Sequence, residues 1–246
     1  MAEKPVPMSY MGHTLEFPRK DNVYKKKEAL PFDEYDSLVW RRAFKNDWRE
    51  KLLVWSIYIL GGIMVGVTAF GMDKLEERLV NSNRILLQYI IDSHIDHPTL
   101  QIVIPLLSYC GVAAVLGALA GIMTVYYGPG ANGSGVAEMI GYMNGVNYPD
   151  FIGINTLITK IFGVTLAVSS RLCIGKEGPL AHIGSIMGLL PIYWPIESMK
   201  RYRNDYYKRM LIAAGGSSGV AAAFGAPIGG ALFAYEMSKP TSFWSF

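Results

Sequence analysis

Two long runs of the chain contain no charged residue. The first run covers residues 52–72, and the second covers residues 98–137. About 20 consecutive apolar residues in a helix cross the roughly 30 Å hydrocarbon core of a bilayer, and a buried helix of a soluble protein rarely stays uncharged for so long. The pattern therefore predicts an integral membrane protein with spans at residues 52–72 and about 99–127, the second bent at Pro105.

Beyond Tyr127 the pattern changes, because shorter apolar stretches alternate with breaks that contain glycine and proline. Irregular backbone at membrane depth is tolerated where it packs inside the protein or lines a polar cavity. Broken helices of this type form the ion and substrate sites of transporters. The pattern predicts an all-α integral membrane fold of broken and tilted helices, with breaks at residues 128–135, 145–150, 174–179, 191–198 and 225–230.

The first 50 residues differ from the rest because they are polar. Residues 1–31 contain four prolines and a basic run at 25–27, and we expect a partly disordered tail. Residues 32–50 mix acids, bases and aromatic residues at roughly helical spacing, which favours a short helix at the membrane interface. Eleven Lys and Arg residues precede position 52, whereas three lie in residues 73–84. The positive-inside rule therefore predicts a cytoplasmic N-terminus.

Composition agrees with a membrane protein and argues against other classes. Apolar residues make up 51% of the chain and charged residues 17%, against about a quarter charged in a soluble domain. The net charge of +3 is too small to indicate nucleic acid as a partner. Cys110 and Cys173 lie in apolar segments without the spacing of a disulfide framework or a metal site, so we expect both to be buried.

Two familiar enzyme motifs occur without their usual context. Residues 128–133 match GxGxxG, whose dinucleotide loop needs a preceding strand, but a predicted membrane helix precedes them here. Residues 215–219 match GxSxG, whose nucleophile elbow also follows a strand, and no His/Asp arrangement accompanies Ser217. His182 lies in an apolar run, which favours a hydrogen-bonded core residue over a metal ligand. We therefore do not expect an enzyme.

Residues 133–138, with the sequence GSGVAE, form the first segment that indicates a function. Two glycines leave the backbone around Ser134 free of Cβ atoms, so that an ion can reach the amides and the hydroxyl. The apolar helix that follows would direct its positive N-terminal end to the same point. This segment predicts an anion site.

Residues 175–179, with the sequence GKEGP, form the second segment. Pro179 suits the first turn of a helix, so Lys176, Glu177 and Gly178 would lie at a helix N-terminus that favours anions. A carboxylate there is itself an anion that competes for the site, and intramembrane acids are usually functional. The other interpretation is structural, with Glu177 capping the helix or pairing with Lys176.

A third segment, GVAAAFGAPIGGALF at residues 219–233, predicts two closely packed helices of small residues. With these three segments in this order, the chain resembles the CLC family of chloride channels and proton/chloride exchangers. GSGVAE is similar to the family's GSGIPE, GKEGP is its second signature, and residues 219–233 are close to its third. The resemblance runs from about residue 50 to the end of the chain. NGV at 144–146 and SFW at 242–244 look most similar to the organellar branch of eukaryotic members.

The resemblance implies roles for particular residues. Ser134 would bind chloride with help from the backbone of Gly135 and Val136, and Gly178 would begin the helix whose amides bind the same anion. Glu177 would be the gate, whose side chain blocks or releases the outer anion site. The supporting motif residues would be Gly133, Glu138, Gly175, Lys176 and Pro179. The resemblance implies no catalytic residue, no metal and no cofactor, with chloride as the transported ligand.

Two positions depart from the family pattern. Ala137 replaces the proline of GSGIPE. Met237 stands where exchangers of the family carry a second glutamate after Glu236, at the position that relays protons from the cytoplasmic side. Because a thioether cannot carry a titratable proton, we expect passive, channel-like conduction gated by a glutamate, with a proton/chloride exchanger fragment as one alternative.

The resemblance also implies an organisation. Residues 51–246 would form the N-terminal half of the membrane domain, the first half of an inverted-repeat architecture, with the C-terminal half and the CBS domains outside this chain. We expect the chain in a lipid bilayer, of an intracellular organelle rather than the plasma membrane, as a homodimer or in association with a full-length CLC subunit. A second alternative function is a non-conducting regulatory or assembly partner of full-length relatives.

Overall fold

The computed structural model describes residues 8–10, 13–15, 48–93, 100–146, 148, 150–195, 199 and 202–238. Most of the predicted tail at 1–31 lies outside these residues, and the part described is a small antiparallel hairpin of β1 (Met8–Tyr10) and β2 (His13–Leu15). The predicted interfacial helix at 32–50 also lies outside them, except for residues 48–50, which begin the first long helix.

The described residues from Trp48 onwards form helices and short connections, which confirms the predicted all-α fold. The elements are α1 (Trp48–Ser93), α2 (Leu100–Tyr126), a 3-10 turn (Pro129–Ala131), α3 (Val136–Met143), α4 (Ile154–Ser169), α5 (Glu177–Tyr193), α6 (Asp205–Phe224) and α7 (Pro227–Ser238). Two of these helices, α1 and α2, are long and apolar enough to cross a membrane, judged by length and composition.

Helix α1 is longer than the predicted span. It has 46 residues, or about 69 Å at about 1.5 Å per residue, more than twice the roughly 30 Å hydrocarbon core. The predicted span ends at residue 72, because charges begin at Asp73. The helix continues past this point to Ser93, because the charged residues Lys, Glu and Arg end a membrane span without breaking a helix.

Several of the following helices are shorter than a bilayer. α3 has 8 residues, α4 has 16 and α5 has 17, so the longest of these three is about 26 Å. The connections between them contain the glycines and prolines that the sequence marked as breaks.

Helices α5 and α6 pack backbone to backbone along a glycine seam formed by Gly184 and Gly188 of α5 and Gly215 and Gly219 of α6. A Cβ atom at Gly215 would overlap the carbonyl oxygen of Gly184, and one at Gly188 would lie 2.6 Å from the carbonyl oxygen of Leu211. Small residues are what allows two membrane helices to approach so closely.

We expect Gly215→Ala to lower the free energy of unfolding by about 2–3 kcal/mol, because the new methyl group would force the two helix backbones apart. Gly66→Ala in α1 is the matched control, since a Cβ atom there meets nothing within 4 Å and alanine favours a helix by about 1 kcal/mol over glycine. Thermal unfolding in detergent measures both. Equal midpoints for the two variants would contradict the seam.

Candidate functional site

Ser134 lies in the bend between the 3-10 turn and α3. Gly133 and Gly135 on either side have φ angles of 66° and 83°, which favour glycine, and Gly135 is the N-cap of α3. The hydroxyl oxygen of Ser134 accepts a hydrogen bond of 3.3 Å from the amide of Val136. Because a hydroxyl also has one proton to donate, the exposed Ser134 side chain retains a donor for an anion.

The N-terminal end of α5 carries the second motif. Helix α5 begins at Glu177 with Lys176 as its N-cap and Pro179 in its first turn, which confirms the predicted helix start. The first amides of a helix lack partners within the helix. The Glu177 carboxylate folds back over Gly175, where a Cβ atom would overlap its oxygen Oε2. Glycine at 175 is therefore what leaves space for this conformation of the glutamate.

Lys176 does not pair with Glu177. Its ammonium group contacts Asp73 at 2.6 Å and Glu76 at 3.1 Å, both on α1. Of the two structural interpretations of Glu177, the ion pair with Lys176 is therefore wrong.

The two motifs meet at Ser134 and Gly178. A Cβ atom at Gly178 would lie 2.7 Å from the Cβ atom of Ser134, and a Cβ atom at Gly135 would overlap the ring of His182 in α5. The turn before α3 thus packs directly on α5. The structure places the Ser134 hydroxyl and the start of α5 next to each other, although 44 positions separate Ser134 from Gly178 in the sequence.

His182 of α5 is a buried residue next to this contact. Its side chain is fully buried and its ring stacks on Phe151 with 4.5 Å between the centroids. Nε2 lies 2.9 Å from the carbonyl oxygen of Phe151, and since a carbonyl oxygen only accepts, Nε2 is the donor. The prediction of a hydrogen-bonded core histidine is confirmed.

A buried lysine that the sequence analysis did not identify holds the Ser134 turn. Lys160 of α4 has 1% of its surface exposed, and its ammonium group donates to the carbonyl oxygens of Ala131 and Gly133 at 3.3 and 3.1 Å. Among the described residues no carboxylate forms an ion pair with it. Its positive charge therefore lies one peptide unit from Ser134 without an opposite charge in contact.

The signal for Lys160 was present in the sequence. It is the single charged residue in the stretch 151–170, and an ionisable residue in an apolar membrane segment marks a functional site by default. Lys160 lies outside the three signature segments, so its position in an apolar stretch is its only sequence signal.

A cavity of about 810 Å³ opens beside Ser134 and Lys160. Small residues of α2 and α4 form much of its wall, including Gly117, Gly121 and Gly163. Its size exceeds that of a single hydrated anion, and it lies in the range of about 300–1,000 Å³ that is typical of binding pockets. Polar groups of the Ser134 turn are thus accessible from an open space.

The other predicted positions lie in different surroundings. Glu138 is half-buried in the first turn of α3, where a negative charge is favourable for the helix dipole. Met237 of α7 is 4% exposed and packs in an apolar cluster with Ile57, Met139 and Tyr142. The site predicted to have lost its proton relay is thus surrounded by apolar side chains.

Three remaining expectations have clear outcomes. The GxGxxG match at 128–133 follows helix α2, and the GxSxG match at 215–219 lies inside helix α6, so neither has the strand that its chemistry requires. The prediction that Cys110 and Cys173 are buried is wrong, since both are exposed. Cys173 lies in the connection between α4 and α5. Cys110 lies on α2, a helix that the other elements bury very little.

Comparison with known proteins gives consistent matches. A family model described as voltage gated chloride channel matches residues 116–245, more than half of the chain. Chloride channel protein A of Dictyostelium discoideum is 33% identical over 89% of this chain and 26% of its own length. H(+)/Cl(-) exchange transporter 7 of Bos taurus is 32% identical over 94% of this chain and 30% of its own length. The chain thus spans less than a third of the length of either relative.

The fold itself has a solved counterpart. A crystal structure of a eukaryotic CLC transporter superposes with a TM-score of 0.66 at 22% identity, covering 81% of this chain and 35% of that one. The signature segments, the broken helices between them and the match of the family model over the second half of the chain agree with one another, and we conclude that the chain belongs to the CLC family of voltage gated chloride channels.

Proposed function

We propose that this chain forms part of the chloride pathway of a membrane transport protein. The observation that carries the proposal is the contact between the Ser134 turn and the N-terminal end of α5 at Gly178. Two sets of anion donors converge there, since Ser134 offers a hydroxyl and the first turn of α5 offers free amides.

The charge of Lys160 adds to this donor set. A buried ammonium group hydrogen-bonded to the carbonyl oxygen of Gly133 raises the local potential, and the low dielectric of a protein interior strengthens its effect on an anion. In the proposal, chloride contacts the Ser134 hydroxyl and the backbone around Gly135, Val136 and Gly178. Lys160 stabilises the anion without direct contact.

Glu177 is the proposed gate. It is the first residue of α5, so its carboxylate competes with chloride for the same amides. Its negative charge repels or replaces the anion. Removal of that charge is therefore expected to increase anion passage through this site.

Passive conduction is the favoured transport mode, and proton exchange is the second candidate. The name of H(+)/Cl(-) exchange transporter 7 favours exchange. Met237 favours conduction, because its thioether carries no proton and its surroundings are apolar. We also propose that the N-terminus is cytoplasmic, that the membrane belongs to an organelle, and that the protein assembles as a homodimer or with a full-length relative.

Liposome flux distinguishes these modes. The 246-residue chain is reconstituted alone, and a fusion in which it replaces the matching part of bovine H(+)/Cl(-) exchange transporter 7 is reconstituted in parallel. A chloride electrode and a pH electrode record both ions. We expect the fusion to release chloride without moving protons against their gradient, and Met237→Glu in the fusion to restore proton movement.

The opposite results separate the alternatives. Stoichiometric proton transport by the fusion with Met237 intact would contradict passive conduction. Absence of chloride flux from both preparations would contradict the proposal and would favour the non-conducting assembly partner.

A further inference from the structure

An ion-pair cluster joins α1 to the segment that carries the proposed gate. The Lys176 ammonium group donates to Asp73 Oδ1 at 2.6 Å and to Glu76 Oε2 at 3.1 Å. Asp73 and Glu76 lie three positions apart, on one face of α1. The cluster thus fixes the residue immediately before Glu177 to a helix about 100 positions earlier in the chain.

The charges of this cluster do not cancel. One ammonium group faces two carboxylates, which leaves a net charge of −1 beside the Glu177 carboxylate. The Asp73 side chain is 56% exposed and that of Lys176 is 28% exposed, so the cluster is open to ions in solution. An anion approaching the start of α5 therefore meets a lysine whose charge is already neutralised.

We propose that Asp73 and Glu76 are positioning residues that control how strongly the mouth of the anion site, at Lys176 and Glu177, attracts anions. They neutralise Lys176 and hold it against α1. The inference rests on the proposed function for the identity of the ion, whereas its test below measures the electrostatic potential at the mouth and does not depend on transport.

The same helix offers a matched control. Lys74 and Glu77 form an ion pair of 2.7 Å within α1, with both side chains 56% exposed. Glu77 is adjacent to Glu76 in the sequence, but its ion pair is with Lys74 and not with Lys176. Glu77→Gln therefore removes one negative charge from the same turn of α1 without releasing Lys176.

The chain also contains a native probe at the mouth. Cys173 is exposed and precedes Lys176 by three positions, so the chain between them spans at most about 11 Å. Cys110 is the only other cysteine, and Cys110→Ser leaves Cys173 as the single thiol. Reaction rates of this thiol with anionic and cationic methanethiosulfonate reagents report the local potential, since a negative potential slows the anionic reagent.

The experiment uses the full chain in detergent with the Cys110→Ser background. A unit charge about 10 Å away in water changes each reaction rate by about twofold. We expect Asp73→Asn with Glu76→Gln to raise the ratio of anionic to cationic rates by about tenfold or more, and Glu77→Gln to raise it by no more than about threefold. Lys176→Met should lower the ratio by about fourfold, and Lys176→Arg should leave it unchanged.

Salt tests the electrostatic origin of the effect. At 1 M salt the screening length is about 3 Å, so the difference between the double variant and the parent should disappear. A double variant that matches Glu77→Gln, or a ratio change that persists in 1 M salt, would overturn the inference. Because the readout is thiol modification, absence of chloride flux from both the chain and the fusion would contradict the proposed function and leave this result interpretable.

Discussion

Replacement of Glu177 by glutamine is expected to leave the anion pathway open at every pH. Glutamine keeps the shape of the side chain and removes the charge that competes with chloride at the start of α5. A unit charge about 4 Å away is worth about 4 kcal/mol at an effective dielectric of about 20, so we expect chloride to bind at least about tenfold more tightly.

The measurement is chloride flux through the fusion protein between pH 5 and pH 8. Glu177→Gln should conduct more chloride than the parent at each pH, because it lacks the charge that competes with chloride at the start of α5. Glu77→Gln is the control, since it removes an exposed acid whose ion pair is with Lys74 within α1. A Glu177→Gln protein that conducts no more chloride than the parent would refute the gate.

Replacement of Lys160 by methionine is expected to weaken chloride binding by about 30-fold. The ammonium group lies 3.1 Å from the carbonyl oxygen of Gly133, so its charge is one residue from Ser134. At about 7 Å and an effective dielectric of about 20, that charge stabilises an anion by about 2 kcal/mol. Methionine also leaves the carbonyl oxygens of Ala131 and Gly133 without this donor, which we expect to reduce stability as well.

Chloride-dependent thermal stabilisation separates these two effects. A bound ion raises the unfolding midpoint as its concentration exceeds the dissociation constant, and the midpoint without chloride reports stability alone. Lys160→Arg keeps the charge and should retain most of the chloride response, although its midpoint without chloride falls. A Lys160→Met chain with the parent's chloride dependence would contradict the electrostatic role.

Local rules in the sequence were sufficient for part of this site. Glycines around Ser134 and a proline two positions after Glu177 specify a tight turn and a helix start, and these depend only on neighbouring residues. The direct contact of Ser134 with Gly178 is different, because it depends on how α3 and α5 pack. The motifs indicated two anion-binding helix ends, and the three-dimensional structure shows that they touch.

The features that the sequence analysis missed depend on long-range contacts. Lys160 donates to carbonyl oxygens 27 and 29 positions away, and Lys176 pairs with α1 across about 100 positions. No local pattern encodes such partners. The continuation of α1 past Asp73 was missed for another reason, since hydropathy locates the end of a membrane span and not the end of a helix.

The glycine seam has a consequence for the amplitude of any motion at the mouth. Helices α5 and α6 touch through backbone atoms at Gly184 and Gly215. No flexible side chain lies between the two helices at this contact, so one helix cannot easily slide along the other. A shift of α5 by one residue would bring bulkier side chains into the positions of its glycines. Glu177, the first residue of α5, therefore moves most readily by rotation about its own side-chain bonds. Such rotations are displacements of a few ångströms, fast compared with rearrangements of whole helices.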